Sequence, residues 1–310
     1  MANYLITGGC GFIGSHLADR LLAAGHRVRI LDDLSSGHMA NVSPACDVIV
    51  GDVTDADTVQ HCMRNMDGCF HLAAVASVQR SNEEWARTHQ INLTGSVNVF
   101  DAAKQQKTPV VYASSAAVYG DNADMPLREV SSVRPLTAYG ADKLGSELHA
   151  RVAALMHDIP NVGLRFFNVF GPRQDPSSPY SGVISIFVDR LLKQQPLTIF
   201  GDGEQTRDFI YVADVVSFLV AAMDKADTTH PVFNVCTGQC ITINQMARML
   251  LTLTSSNAGI RHMKARQGDI RVSIGNPSKA NRELGVVAQY SVLEGLRKLV
   301  LESGHRERVA

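Results

Sequence analysis

The sequence predicts an α/β protein: a doubly wound parallel sheet followed by a smaller mixed α/β C-terminal domain. Three observations point there. Short β-branched runs alternate with helical stretches through the first half, a glycine-rich turn joins the first strand to the first helix, and the alternation breaks down after about residue 170. Strands separated by helices at this spacing indicate a parallel sheet covered on both faces.

In order, residues 4–7 read as a strand and 12–24 as a helix stopped by Gly25. Residues 27–31 and 47–50 follow as strands, 55–65 as a helix and 69–72 as a short strand. One helix is expected over 83–105, then a strand at 110–113, a long helix at 139–157 and a strand at 162–166. Residues 171–179 are dense in Gly, Pro and Ser and read as a loop. A helix near 184–193, a short strand near 197–200 and mixed elements complete the chain. The expected division is residues 1–170, with some later segments returning to that domain, and residues 171–310.

Composition narrows the function classes. The 310 residues are 45% hydrophobic and 19% charged, with a formal net charge of -1, as in an ordinary globular protein. That balance weighs against a nucleic-acid binder relying on phosphate neutralisation. The six cysteines contain no CxxC pair, and the eleven histidines no HExxH, so no metal is expected and the thiols read as buried and free. The N-terminus carries neither a basic segment nor a long apolar one, and no window approaches the ~18 apolar residues that span a bilayer. A cytoplasmic location without membrane attachment is the expectation.

The first turn carries a cofactor signature. Thr7-Gly8-Gly9-Cys10-Gly11-Phe12-Ile13-Gly14 places glycines at 8, 11 and 14 between strand and helix. Such glycines allow a tight turn, close approach to a pyrophosphate and helix–strand packing, and the helix start at Phe12 and Ile13 offers free N–H donors to the anion. The second strand ends at Asp32, where a carboxylate accepts bonds from ribose hydroxyls and repels a 2′-phosphate. NAD is therefore favoured over NADP, and the first domain reads as Rossmann-type. Asp33 is open to the same reading or to that of a solvated turn acid. Asp52 and Val53 follow the third strand at a height suited to the adenine edge, a place where Asp is equally a common turn residue.

Tyr139 and Lys143 stand four residues apart in a helical stretch and share one face. A tyrosine pKa of about 10 must fall to roughly 7 for base catalysis, which needs about 4 kcal/mol of preferential anion stabilisation. A nearby ammonium and a positive nicotinamide ring are the expected sources. The strand at 110–113 runs into Ser114-Ser115-Ala116-Ala117-Val118-Tyr119-Gly120, and ligands gather at the carboxyl ends of such strands. Ser115 there is placed to bond a substrate hydroxyl.

With these residues assembled, the chain resembles the extended short-chain dehydrogenase/reductases, and most closely the UDP-glucose 4-epimerase family. The resemblance runs from Gly8 to about Leu284. It includes Phe70-His71-Leu72-Ala73-Ala74, Ser115 to Gly120, Tyr139-x-x-x-Lys143, Leu164-Arg165-Phe166-Phe167-Asn168-Val169-Phe170-Gly171-Pro172-Arg173, and the segment Gly201 to Val215 with Arg207-Asp208-Phe209 at its centre. It implies that Tyr139 is the base, that Lys143 holds the nicotinamide ribose, that Ser115 bridges to the sugar and that Ala73 lies on the cofactor. NAD would be tightly bound and not consumed. Asn168, Arg207 and Arg266 would contact the substrate diphosphate and Asp269 the uridine ribose, two arginines suiting bidentate phosphate recognition. A homodimer built from two helices per subunit is also implied, and the domains become an NAD-binding 1–170 and a mainly nucleotide-sugar-binding 171–310.

Two departures stand out. Ala76 occupies a position where some members carry a phosphate-contacting lysine, so that contact is missing or comes from the loop 77–80; Asp33 replaces a frequent Asn. Related dehydratases carry an Asp-Glu pair, and decarboxylases a Glu, just after the serine. Here Ala116 and Ala117 have no ionisable group for such work, which leaves simple epimerisation. Ser273 stands at a gate where a Tyr excludes an N-acetyl group at C2, so UDP-GlcNAc/UDP-GalNAc is expected to be accepted beside UDP-Glc/UDP-Gal. Two rivals are a UDP-glucuronate 4-epimerase, needing a cation at sugar C6, and a catalytically inactive NAD-sensing module, which would lack the Tyr or Lys. His71 reads as packed near the cofactor rather than as a ligand.

Overall fold

A computed structural model describes residues 1–176, 182–265 and 270–309. The opening elements β1 (Asn3–Thr7), α1 (Phe12–Ala23), β2 (Arg27–Asp32), β3 (Asp47–Val50), α2 (Ala56–Met63) and β4 (Gly68–His71) alternate as expected. Local chemistry explains their ends. Asp55 caps α2 by accepting bonds from the Asp57 and Thr58 amides, whereas α1 begins at Gly11 with no side-chain cap, leaving its first-turn N–H groups unclaimed by a side chain.

The single helix expected over 83–105 is divided. Ser77 caps an earlier start, α3 (Val78–Glu83), by accepting from Arg80 N at 3.0 Å. A break at Glu84 leads into α4 (Trp85–His89), a π-helical turn Gln90–Thr94, and α5 (Gly95–Ala103). The wide turn lets Asn92 serve a different segment: its amide accepts from Val75 N at 2.8 Å and donates to Val75 O at 3.3 Å. Apolar periodicity survives such a bulge, so the pattern alone reads as one helix.

Then come β5 (Val110–Ser115), a 3-10 turn Ala116–Tyr119, α6 (Ala138–His157), β6 (Asn161–Phe166), β7 (Asn168–Phe170), α7 (Val183–Leu192), β8 (Leu197–Phe200), β9 (Thr206–Arg207), β10 (Phe209–Tyr211), α8 (Val212–Asp224), β11 (Val232–Val235), β12 (Ile241–Thr242), α9 (Ile243–Leu253), β13 (Ile260–Met263), β14 (Val272–Ser273), α10 (Ser278–Glu283) and α11 (Val292–Val309). Thr137 caps α6 by accepting from Gly140 N, and Asp158 ends it in the left-handed region.

Among the described residues, seven strands form one sheet in the order β3-β2-β1-β4-β5-β6-β11, each neighbouring pair parallel. Chain order reverses between β1 and β4, which opens a crevice at their carboxyl ends. The edge strand β11 comes from beyond residue 171, so a later segment does return to the sheet. Side chains of α1 and α8, such as Leu17, Leu21, Phe218 and Leu219, pack one face; those of α2, α5 and α6, such as Val59, Phe100 and Ala153, pack the other. Fully buried residues such as Leu17 and Ile30 each contribute about 1.5–3 kcal/mol.

The rest gathers on a separate core of α7, α9 and α11, where Phe187, Met246, Leu250 and Leu296 meet. Its short strands form three small sheets: β10–β7, β12–β9–β14 and β13–β8. In the second, Arg207 of β9 stands directly beside Ser273 of β14.

Candidate active site

A cavity of about 640 Å³ opens at the carboxyl ends of β1, β4 and β5 and is bounded on its far side by β9 and β14. Its lining includes Gly8, Gly11, Phe12, Ile13, Gly14, Asp32, Asp52, Val53 and Ala73, and equally Ser115, Tyr139, Lys143, Asn168, Arg207 and Ser273. The structure thus brings every described sequence candidate into one space. Arg266 and Asp269 lie outside the described residues.

At one end the cavity is shaped by missing side chains. Gly8 has φ 71°, and a Cβ there would stand 2.7 Å from Ala73 N, closer than any side chain tolerates. A Cβ on Gly14 would overlap the Gly8 carbonyl oxygen. Above this cradle points the uncapped start of α1, with amides and a positive helix end suited to a pyrophosphate. Asp32 is 7% exposed, and each carboxylate oxygen accepts one backbone amide, from Cys10 and from Leu34, both at 2.9 Å. Burial pushes its pKa up while those two amides pull against it. Asp33 is exposed, accepts from Ser35 and also lines the cavity. Asp52 accepts from Thr54 N at 2.8 Å and from Arg87 at 3.0 Å. A cradle only glycine leaves open, facing a fixed carboxylate, fits NAD and disfavours a 2′-phosphate.

At the other end stand the reactive groups. Ser115 ends β5, and its hydroxyl accepts from Ala117 N at 3.1 Å. Tyr139 lines the same cavity and is half-buried, with Ser115 near enough to pull its pKa down against burial. Lys143 is 2% exposed, with its Nζ 5.8 Å from the centre of the Tyr139 ring. Burial lowers the Lys143 pKa to about 8, opposed by the neighbouring charge of Asp142.

Burial pushes the Tyr139 pKa up, and Ser115 pulls against that rise. The positive nicotinamide ring, the second expected source of anion stabilisation, comes with the cofactor.

His71 proves to be a clasp. It is buried, with Nδ1 2.7 Å from Thr7 Oγ1 and Nε2 3.0 Å from Ser96 Oγ, and burial together with Lys143 pushes its pKa down to about 3. It is neutral, and Thr7 in turn accepts from Ala73 N at 3.3 Å, fixing the cofactor-side turn. On the far wall, the Asn168 amide and side chain both donate to Asp208 O, at 3.1 and 3.0 Å. The buried Asp208 carboxylate accepts from Thr237 and from the Gly238 and Gly275 amides, anchoring the strand that carries Arg207.

Sequence reasoning missed Arg87 beside Asp52, and it missed Gln174, Met125 and Leu127, which also line the cavity. Nothing in local spacing announces them, because each arrives from a loop or a neighbouring helix. The segment 77–80, expected as a loop, is the capped first turn of α3; Val78 lines the cavity and Arg80 Nε lies 3.1 Å from Glu84.

The reversal of strand order, the glycine cradle and the Ser-Tyr-Lys cluster define a dinucleotide-dependent enzyme of short-chain dehydrogenase/reductase type. Comparison with known proteins agrees. The NAD dependent epimerase/dehydratase family matches residues 4–236. A UDP-glucose 4-epimerase of Mycolicibacterium smegmatis is 36% identical over 308 residues, covering 96% of each chain. Among solved structures, the UDP-N-acetylglucosamine 4-epimerase of Methanobrevibacter ruminantium M1, in complex with UDP-N-acetylmuramic acid, superposes with TM-score 0.94 at 36% identity over 98% of this chain and 99% of that one. The UDP-glucose 4-epimerase of Thermotoga maritima, with UDP-glucose, gives 0.95 at 34% identity over 99% and 100%. The chain belongs to the NAD dependent epimerase/dehydratase family, and the resemblance to UDP-glucose 4-epimerases is borne out.

Proposed function

We propose that this enzyme epimerises a UDP-hexose at C4 through a 4-keto sugar, accepting UDP-GlcNAc/UDP-GalNAc as well as UDP-Glc/UDP-Gal. The observation that carries it is the convergence of Ser115, Tyr139 and Lys143 on the cavity that also holds the glycine cradle. Residues 1–170 with β11 and α8 serve NAD, and most of 171–310 serves the nucleotide sugar.

Bound NAD supplies the acceptor for the C4 hydrogen and a positive charge on its nicotinamide ring. Tyr139 takes the O4 proton, and Ser115 hydrogen-bonds the same oxygen as its charge develops. Lys143, one helical turn on, stabilises the phenolate as it forms. Because the proton returns to O4 after the keto sugar has turned over, no relay to solvent is required. Ala116 and Ala117 offer no acid to divert the keto sugar. Asn168, Arg207 and Arg266 hold the diphosphate and Asp269 the uridine ribose, which anchors the nucleotide while the sugar turns.

Ser273 stands beside Arg207 on the cavity wall. A serine leaves open the volume that a Tyr ring would fill, which supports room for a 2-acetamido group. Ser273→Tyr is expected to abolish turnover of the acetylated pair and spare the other, measured by isomer separation on both pairs. Turnover of only the non-acetylated pair by the parent would contradict the gate. The exposed stripe Leu148, Val152, Leu155 and Met156 along α6 supports a second copy of this chain as its partner. Leu155→Arg should then give a monomer in sedimentation.

A further inference from the structure

Beneath the reactive cluster lies a buried ion pair that the reaction as described leaves without a role. Glu147 follows Tyr139 and Lys143 at the same four-residue interval on α6, so the three share one stripe. Its carboxylate receives Arg165 of β6 in a bidentate pair, Nε to Oε1 at 2.8 Å and Nη2 to Oε2 at 2.7 Å. The side chains are 9% and 7% exposed. Ser114, next to Ser115 and in register with Arg165, donates to Glu147 Oε1 at 2.5 Å. The other edge of the guanidinium reaches the turn after Ser115: Arg165 Nη1 donates to the Tyr119 hydroxyl at 2.8 Å and to Glu129 O at 3.2 Å. Tyr119 then donates to Asn234 Oδ1 at 2.6 Å, and Asn234 Nδ2 to Leu127 O at 2.9 Å.

A buried ion pair is a poor stabiliser, since desolvation costs about as much as the pairing returns, and apolar residues of equal volume often do better. What this one does instead is geometric. The sheet ladder fixes Ser115 relative to β6, but Ser115 and Tyr139 sit on different layers, a strand and a helix. The Ser114–Glu147–Arg165 unit spans those layers within two residues of the strand end.

We propose that Glu147 and Arg165, acting through Ser114 and Tyr119, are positioning residues that hold the Ser115 hydroxyl against the Tyr139 phenol. The inference rests on the assignment of Ser115 and Tyr139 to the sugar O4 and adds what keeps them in contact. Loss of the tether between Ser114, at the end of β5, and Glu147, on the helix that carries Tyr139, lets the serine rotate away from the phenol.

Ser114→Ala removes the hydroxyl link and leaves the ion pair and the fold in place. In the NAD-loaded protein, ultraviolet difference titration against Tyr139→Phe isolates the Tyr139 phenol. It is expected to titrate higher by ~0.5 unit or more. With UDP-GlcNAc, kcat falls about tenfold while KM stays within about twofold. Ser114→Ala adds no further loss once Ser115 is Ala, because it acts through that residue. An unmoved titration, an additive double variant, or a drop in melting temperature with kcat unchanged would each overturn the inference. The titration needs no turnover: if the parent epimerised no nucleotide sugar, the functional assignment would fail and the tether would still be read. If the parent turned over and Ser114→Ala matched it, the tether alone would fail.

Discussion

Two buried cations flank the reactive cluster, and the protein treats them in opposite ways. Arg165 is matched on both edges, by Glu147 and by the Tyr119 hydroxyl and Glu129 carbonyl; these partners, outweighing burial, push its pKa well above the ordinary value. Lys143, as deeply buried, makes no hydrogen bond or ion pair to a described residue, and burial brings its pKa down to about 8. The first charge is permanent and serves geometry. The second is held at a cost to the fold and lines the cavity where the proposed reaction develops charge. Burial alone therefore does not mark a functional cation; an unmatched partner list does.

Replacing each cation by Met should separate the two. Lys143→Met is expected to lower kcat about a hundred- to ten-thousandfold, the range for loss of assistance to a proton transfer. It should also raise the unfolding free energy of the NAD-free protein at pH 7 by about 1–3 kcal/mol, because a disfavoured ammonium is gone. Arg165→Met should do the reverse to stability, costing about 3–5 kcal/mol by leaving Glu147 buried and unpaired. Denaturant unfolding and initial rates on the same samples check both. If both variants were destabilised alike, the contrast would be void.

A subtler consequence is pH dependence. The Lys143 pKa is lowered on folding, so between about pH 8 and its ordinary value of 10.5 the unfolded chain binds more protons than the folded one. Stability contributed by this site therefore rises with pH across that window and is least below it. The difference in unfolding free energy between Lys143→Met and the parent should shrink from pH 7 to pH 10; a constant difference would contradict the lowered pKa. The smallest effect is expected at the other end of the cavity. Arg87 and Asp52 form a half-exposed pair worth about 0–1 kcal/mol, so Arg87→Ala should weaken NAD retention no more than about fivefold by equilibrium dialysis.

The same contrast explains what the sequence disclosed. The glycine turn, Asp32, Ser115 and the Tyr139/Lys143 pair are local patterns whose chemistry dictates their spacing, and all of them meet in the cavity. The parallel sheet was legible for the same reason, since alternation is a local signal. Arg165 was visible only as part of a motif; its partner Glu147 is eighteen positions away and meets it because α6 packs over β5 and β6. Which later segment returns to the sheet edge and the division of the 83–105 helix were hidden likewise. One depends on a tertiary pairing, the other on Asn92 finding a backbone partner at Val75. The burial that pushes the Tyr139 pKa up was not legible either, because spacing shows a nearby ammonium but not desolvation.

The most direct measurement of the proposed chemistry uses UDP-GlcNAc and UDP-Glc carrying deuterium at C4, incubated with purified protein in ordinary water without added NAD. Retention of the label at C4 in the 4-epimer, for both sugars, is the expected result, with Tyr139→Phe slower by about a thousandfold. Loss of the label to solvent, or equal rates for Tyr139→Phe and the parent, would contradict a closed cycle run by Tyr139.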